Sequence, residues 1–192
     1  DEQEARSKYL QGMDQDVDDM DALLDEMLTY ARLEAGMPSI NYSRVELNAL
    51  IDQVVEELQP LHAGIELNAI KANAVECWAD AEVRYLHRAI QNLVSNAQRH
   101  AHRRVSITCW VRDELCYIAV EDDGPGITEK LREKVFTPFF RMDDSRTRSS
   151  GGHGLGLAIV KRLMYWHSGR VRIDDNSRLG GARVVLVWPQ YV

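Results

Sequence analysis

Asp122 follows a short apolar run, residues 116–120, at the point where the chain turns through Gly124-Pro125-Gly126. A strand that ends this way fixes a carboxylate beside backbone that has no side chains to keep a ligand away. Asp-Gly and Pro-Gly are also ordinary turn chemistry, so the turn by itself specifies no ligand. Three other groups give it company. Upstream, Asn92 and Asn96 lie one helical turn apart in a helical pattern that continues to Arg99 and His100. Asn is a mediocre helix former, so a stacked mid-helix pair is either a solvated polar face or a pair of neutral oxygen donors held toward a ligand. Downstream, Gly152-His153-Gly154-Leu155-Gly156-Leu157 opens a helix and aims free backbone N–H groups at an anion. Between them lies Phe136-Thr137-Pro138-Phe139-Phe140-Arg141, whose phenylalanines would ordinarily mark core and whose Arg is either a surface cation or an anion contact.

These groups need elements to hold them. Residues 1–35 read as one long helix, with Leu10, Met13, Val17, Met20, Leu24, Met27 and Ala31 at heptad spacing among many Asp residues. Such a seam calls for partner helices, or else for packing on its own domain. Gly36-Met37-Pro38-Ser39 then breaks the chain as a linker would. Residues 40–47 suggest a short strand, and Asn48 is the expected cap of a helix that turns Leu50, Ile51, Val54, Val55 and Leu58 inward. Residues 65–70 and 75–78 read as strands. Asp80 is the expected cap of a helix reaching Ala101, with Val83, Leu86, Ile90, Leu93 and Ala97 as its core stripe and the asparagines on another face. Residues 105–111 and 116–120 flank Arg112-Asp113-Glu114-Leu115 as a hairpin that delivers Asp122. Residues 128–135 read as a short polar helix, and 142–152 as a polar stretch that cannot pack, hence a flexible lid. A helix over residues 155–167 buries Leu157, Ile159, Val160 and Leu163, and strands 170–174 and 183–188 follow across Leu179-Gly180-Gly181.

At 192 residues the chain accommodates one good domain plus an appendage. A net charge of -7 argues against nucleic acid as the main partner. No apolar run approaches the roughly 20 residues of a membrane span, and no signal peptide is evident, so no membrane contact is expected of this stretch. An opening of Asp1-Glu2-Gln3 without Met suggests a piece of a longer protein. Cys77, Cys109 and Cys116 form no Cys-x-x-Cys pair and the histidines show no zinc spacing, so buried thiols in a reducing cytosol, and no protein-held metal site, are expected.

Taken in order, the asparagine pair, Asp122-x-Gly124-x-Gly126, the Phe-rich run and the second glycine cluster resemble the N, G1, F and G2 boxes of the sensor histidine kinase catalytic domain. That domain belongs to the ATPase superfamily that also holds DNA gyrase, Hsp90 and MutL. The resemblance implies an α+β fold, a two-layer α/β sandwich of the Bergerat type with a mixed sheet covered by helices on one face, preceded by the long helix. It divides the chain into residues 1–36, similar to the second helix of the dimerisation domain, and residues 37–192, the catalytic ATP-binding domain. It also implies ATP and Mg²⁺ as cofactors. Asp122 would accept a hydrogen bond from the adenine amino group, Gly124 and Gly126 would let the backbone pass close to the base, and Ile127 would complete that turn. Asn96 would give its amide oxygen to the Mg²⁺, Asn92 would support that shell, Arg99 would contact phosphate, and His100 stands where a Tyr more often lines the adenine. Gly152, Gly154, Leu155, Gly156 and Leu157 would wrap the triphosphate. Arg141 would reach the γ-phosphate and stabilise charge as the phosphoryl group leaves. The phenylalanines would hold the base of the lid, in which Arg146 and Arg148 have no assigned role. Asp123 is expected to be a solvated turn residue, and Ala182 stands where the family often has Ser or Thr. Residues 141–146, 179–183 and Trp188-Pro189 together look most like the RstB-type branch found in Gram-negative bacteria.

The fold serves two chemistries. In the gyrase, Hsp90 and MutL branch, a Glu one turn before the metal-binding Asn activates water; here that position is Asn92, which cannot act as a general base. The resemblance therefore implies a protein-histidine kinase that shields the γ-phosphate from water and passes it to a His, and from there to a response-regulator Asp. The family's acceptor His is followed by an acidic residue and a Pro; His62, His87, His100, His102, His153 and His167 lack that context, so self-labelling is not expected. The implied parent is a homodimeric inner-membrane sensor with this part in the cytoplasm, partnered by a response regulator of the winged-helix type. A conformational ATPase and a noncatalytic nucleotide-binding or dimerisation module stay open as alternatives.

Overall fold

Apolar residues recur at helical spacing in some segments and at alternate positions in others, and the chain folds accordingly. In the computed structural model, which describes residues 2–36, 40–62, 64–71, 77–141, 152–175 and 178–191, α1 (Glu2–Ala35) comes first. It is followed by β1 (Ser43–Glu46), α2 (Leu47–Leu58), β2 (Glu66–Ile70), β3 (Trp78–Ala81), α3 (Val83–His100), β4 (Arg104–Arg112) and β5 (Leu115–Asp122). After the glycine cluster come α4 (Gly156–Trp166), β6 (Arg170–Asp175) and β7 (Ala182–Pro189).

The main sheet has the order β2-β4-β5-β7-β6, with β2 parallel to β4 and every other pair antiparallel. This is the expected mixed sheet. One face, with Val105, Ile107, Ile118, Val120, Leu186 and Trp188, is buried together with α2, α3 and α4 in one apolar core. The opposite face carries a smaller cluster around Ala119, Val185 and Val187, where Trp110 stacks on Tyr117 with ring centroids 4.9 Å apart. β1 and β3 form a separate antiparallel pair.

Several boundaries differ from the sequence expectation, each for a local reason. Glu46, not Asn48, caps α2: its carboxylate accepts from the N–H groups of Asn48 at 3.2 Å and Ala49 at 2.7 Å. Glu82, not Asp80, caps α3, accepting from the Arg84 N–H at 3.4 Å, because Asp80 is still paired with Arg44 in the extended β3. Val83, in the first turn of α3, is exposed, whereas Leu86, Ile90, Leu93 and Ala97 are buried as expected. In place of a polar helix over 128–135 the chain makes short 3₁₀ turns at Glu129–Leu131 and Lys134–Phe136. Val75 and residues 142–151 of the lid, with Arg146 and Arg148, lie outside the described residues. The cysteines are buried free thiols. Among the described residues no helix is long and apolar enough to cross a membrane.

The end of α1 packs on its own domain. Leu33 is buried, and Leu23 and Tyr30 pack beside it on the core. Arg162 of α4 donates to the Leu33 carbonyl at 3.0 Å and pairs with Glu34 at 3.3 Å, and Arg88 of α3 pairs with Asp25 at 2.9 Å. The stripe used is not the heptad seam: Leu10, Met13, Val17, Met20, Leu24 and Met27 all stay exposed.

Candidate functional site

Strand parity places the central carboxylate. Asp122 lies on the side of β5 that also presents Ile118 and Val120 to the core, so at the strand end its side chain enters the space between sheet and helices. It is 5% exposed, and its Oδ1 accepts the N–H groups of Gly124 at 2.9 Å and Ala182 at 3.1 Å. Burial pushes the carboxyl above its ordinary range, against the opposing pull of those amides and of His100. Such a group is a fixed acceptor at the floor of a cavity, suited to a ligand N–H donor.

The strand end, the end of α3 and the β6–β7 turn converge tightly here. A side chain on Gly124 would collide with the His100 carbonyl, and one on Gly181 with the Asp122 carboxylate. Gly124 therefore packs closely on the end of α3, while Pro125, Gly126 and Ile127 line the cavity wall. Asp123 is also more than a solvated turn residue. Its Oδ1 accepts the N–H groups of His102 at 2.9 Å, Arg103 at 3.0 Å and Arg104 at 3.1 Å, tying the α3–β4 loop to the turn. Against the push of burial, these amides hold its carboxyl below the usual range.

The polar face of α3 supplies one wall, with Asn92, Ser95, Asn96, Arg99 and His100. Asn92 also donates its side-chain N–H to the Gly156 carbonyl at 3.4 Å, joining α3 to the start of α4. Burial lowers the pKa of His100, and the charge of Arg99 adds to the effect, so the ring favours its neutral form. Among the described residues no cluster of His, Cys, Asp and Glu could hold a metal by itself. The neutral amide oxygen of Asn96 suits a hard cation whose other ligands are phosphate oxygens.

The glycine cluster makes the opposite wall through Gly152, His153, Gly154, Gly156 and Leu157. Leu157 packs against the core, as expected, but is only partly buried, so it also lines the cavity. The Leu155 side chain is wholly buried and anchors the cluster in the core. Gly154 has φ of +75° and accepts the Phe139 N–H at 2.9 Å through its carbonyl. A side chain there would press on the Phe140 carbonyl at 2.8 Å, so this turn requires glycine. Phe136 is buried, Phe140 lines the cavity beside Arg141, and Phe139 is 57% exposed, next to a lid that lies outside the described residues. Glu26 of α1 reaches the same cavity. Nothing in the sequence singled it out, because its place depends on how α1 packs.

A family profile described as histidine kinase-, DNA gyrase B- and HSP90-like ATPase matches residues 81–192. Sensor protein RstB of Escherichia coli (strain K12) is 36% identical over 179 residues, covering 93% of this chain and 41% of that protein. Sensor histidine kinase CpxA of the same organism is 31% identical over 189 residues, covering 96% and 40%. The chain thus spans about two fifths of the length of these curated relatives. Among solved structures, full-length ShkA in complex with AMPPNP matches with a TM-score of 0.76 at 27% identity, over 88% of this chain and 35% of that one. The mycobacterial sensor histidine kinase MprB matches with a TM-score of 0.67 at 28% identity, over 79% and 99%.

Proposed function

The chain belongs to the histidine kinase-, DNA gyrase B- and HSP90-like ATPase family, and from that premise we propose that it is the ATP-binding catalytic part of a sensor protein-histidine kinase. The observation that carries the choice is the side chain one turn before Asn96. It is Asn92, an amide bonded to the Gly156 carbonyl, where a hydrolytic member of the fold needs a carboxylate base. The names of the relatives and the AMPPNP complex of ShkA support the same reading.

In this reading the adenine amino group donates to Asp122, and Gly126, Ile127 and His100 border the base. The phosphates extend along α3 toward Arg99 and the N–H groups of residues 152–157. Mg²⁺, held by Asn96 and supported by Asn92, would neutralise phosphate charge. Arg141 stabilises the charge that develops as the γ-phosphoryl group leaves, and a site without a general base shields that phosphate from hydrolysis. The acceptor is a His imidazole on a dimerisation helix, residues 1–36 being the second helix of that domain and residues 37–192 the catalytic unit. The parent is a homodimeric bacterial inner-membrane sensor with this part on the cytoplasmic side, and its phosphoryl group passes on to a response regulator of the winged-helix type.

The test is to incubate the chain with Mg²⁺ and γ-labelled ATP, with and without a separately supplied dimerisation domain that carries the acceptor His. Acid-labile, base-stable label on the added domain is the expected result, abolished by Asn96→Asp and by Arg141→Ala. Rapid release of phosphate without protein labelling would instead assign the chain to the conformational ATPases.

A further inference from the structure

Among the described residues that line the cavity, Glu26 alone comes from α1, and it arrives where Arg99, Arg141 and His153 gather. Its Oε2 is shut off from solvent without a hydrogen-bond partner, and it stands 3.7 Å from His153 Nδ1. Arg99 is held below its ordinary pKa by burial, and the charges of Glu26 and Arg141 act on it in opposite directions. An unbonded carboxylate oxygen away from water is costly, so something other than its own pairing keeps Glu26 there. That something is the docking of α1, fixed by buried Leu33 and by the Arg88–Asp25 and Arg162–Glu34 pairs.

We infer that Glu26 is a specificity-determining residue of the nucleotide site: with α1 docked, its carboxylate occupies the place of the terminal phosphate, so the docked chain accepts a nucleoside diphosphate and resists a triphosphate. This rests on the nucleotide reading of the cavity. The last phosphate of a triphosphate brings negative charge against a partly desolvated carboxylate, and such like-charge contacts are strongly unfavourable. A diphosphate stops short and leaves Glu26 beside Arg99. The coupling is reciprocal, so a bound triphosphate weakens α1 docking by the factor that docking weakens the triphosphate.

The experiment is a calorimetric titration of the whole chain, with Mg²⁺, using ADP and a non-hydrolysable ATP analogue. Glu26→Gln keeps size and removes charge, and Glu26→Ala excludes a gain from the new amide. The triphosphate analogue should bind about tenfold more tightly to both variants, while ADP affinity changes by less than about threefold. In the unaltered chain the analogue, but not ADP, should speed hydrogen exchange of the amides of residues 23–33, and Glu26→Gln should remove that difference. Equal gains for both nucleotides, no gain, or a loss of triphosphate affinity would overturn the inference and leave the nucleotide site standing. Failure of every protein to bind either nucleotide would overturn the nucleotide reading, and the inference with it.

Discussion

Asp122 offers one kind of atom to a ligand, a carboxylate oxygen oriented by the Gly124 and Ala182 amides, and this makes its replacement informative. A hydrogen bond to a charged acceptor contributes about 1.5 to 3 kcal/mol. Asp122→Asn should therefore weaken ATP binding about tenfold or more by calorimetry, and unchanged affinity would remove Asp122 from the site. Gly181→Ala would drive a methyl group into that carboxylate and to within 2.6 Å of the Gly124 nitrogen. It should cost about 1 to 3 kcal/mol of stability in urea unfolding and abolish nucleotide binding. His167 tests pH. Its ring is fully buried, donating from Nδ1 to the Leu163 carbonyl at 2.8 Å and accepting the Glu82 N–H at Nε2 at 3.2 Å, an arrangement only the neutral ring can make. Burial holds its pKa below the ordinary 6.5, so the unfolded chain binds a proton that the folded chain refuses. The stability it contributes is full above about 6.5 and is lost as pH falls below that value, with His62 and His100 shifted the same way. Urea unfolding should show the chain weakening from pH 7 to pH 5, and His167→Leu should be less stable at pH 7.5 by about 1 to 3 kcal/mol but lose less on acidification.

At the scale of elements, the decisive contact is between α1 and α4. The partly exposed ion pairs that join α1 to α3 and to α4 are each worth only about 0 to 1 kcal/mol, so the apolar stripe carries the docking. Leu33→Ala should cost about 2 to 5 kcal/mol of docking, read as lost hydrogen-exchange protection in residues 23–35 while the sheet stays protected. Arg88→Ala, which removes the ion pair to Asp25, should change that protection by less than about 1 kcal/mol. Equal effects from the two substitutions would mean that charge and not burial holds the helix. The guanidinium of Arg162 on the Leu33 carbonyl also closes the last turn of α1, where carbonyls otherwise lack partners.

For the whole molecule, the seam of α1 is unfinished business for the hydrophobic effect. Leu10, Met13, Val17, Met20, Leu24 and Met27 form an apolar line exposed to solvent while the rest of the chain packs against the neighbouring stripe. Sedimentation at rising concentration should show reversible association, abolished by the double substitution Met20→Glu and Leu24→Glu. A chain that stays monomeric throughout would count against seam pairing.

Much of this was legible without coordinates, because the signals were local. Hydrophobic period alone marks α3, α4 and the β4–β5 hairpin. The glycines mark the turns, and the structure brings Asn92, Asn96, Asp122 and Arg141 to one cavity. What failed was set by neighbours distant in the chain. Glu82 displaced Asp80 as a cap because β3 pairs with β1, and Asp123 found its amides across the α3–β4 loop. The sequence by itself determined which residue types stand at each turn of the site, since helix and strand periods and glycine chemistry act within a few residues. Only the tertiary structure decided which stripe of α1 packs, and with it the arrival of Glu26, because the choice between two apolar faces depends on a surface, α4, that lies more than a hundred residues away.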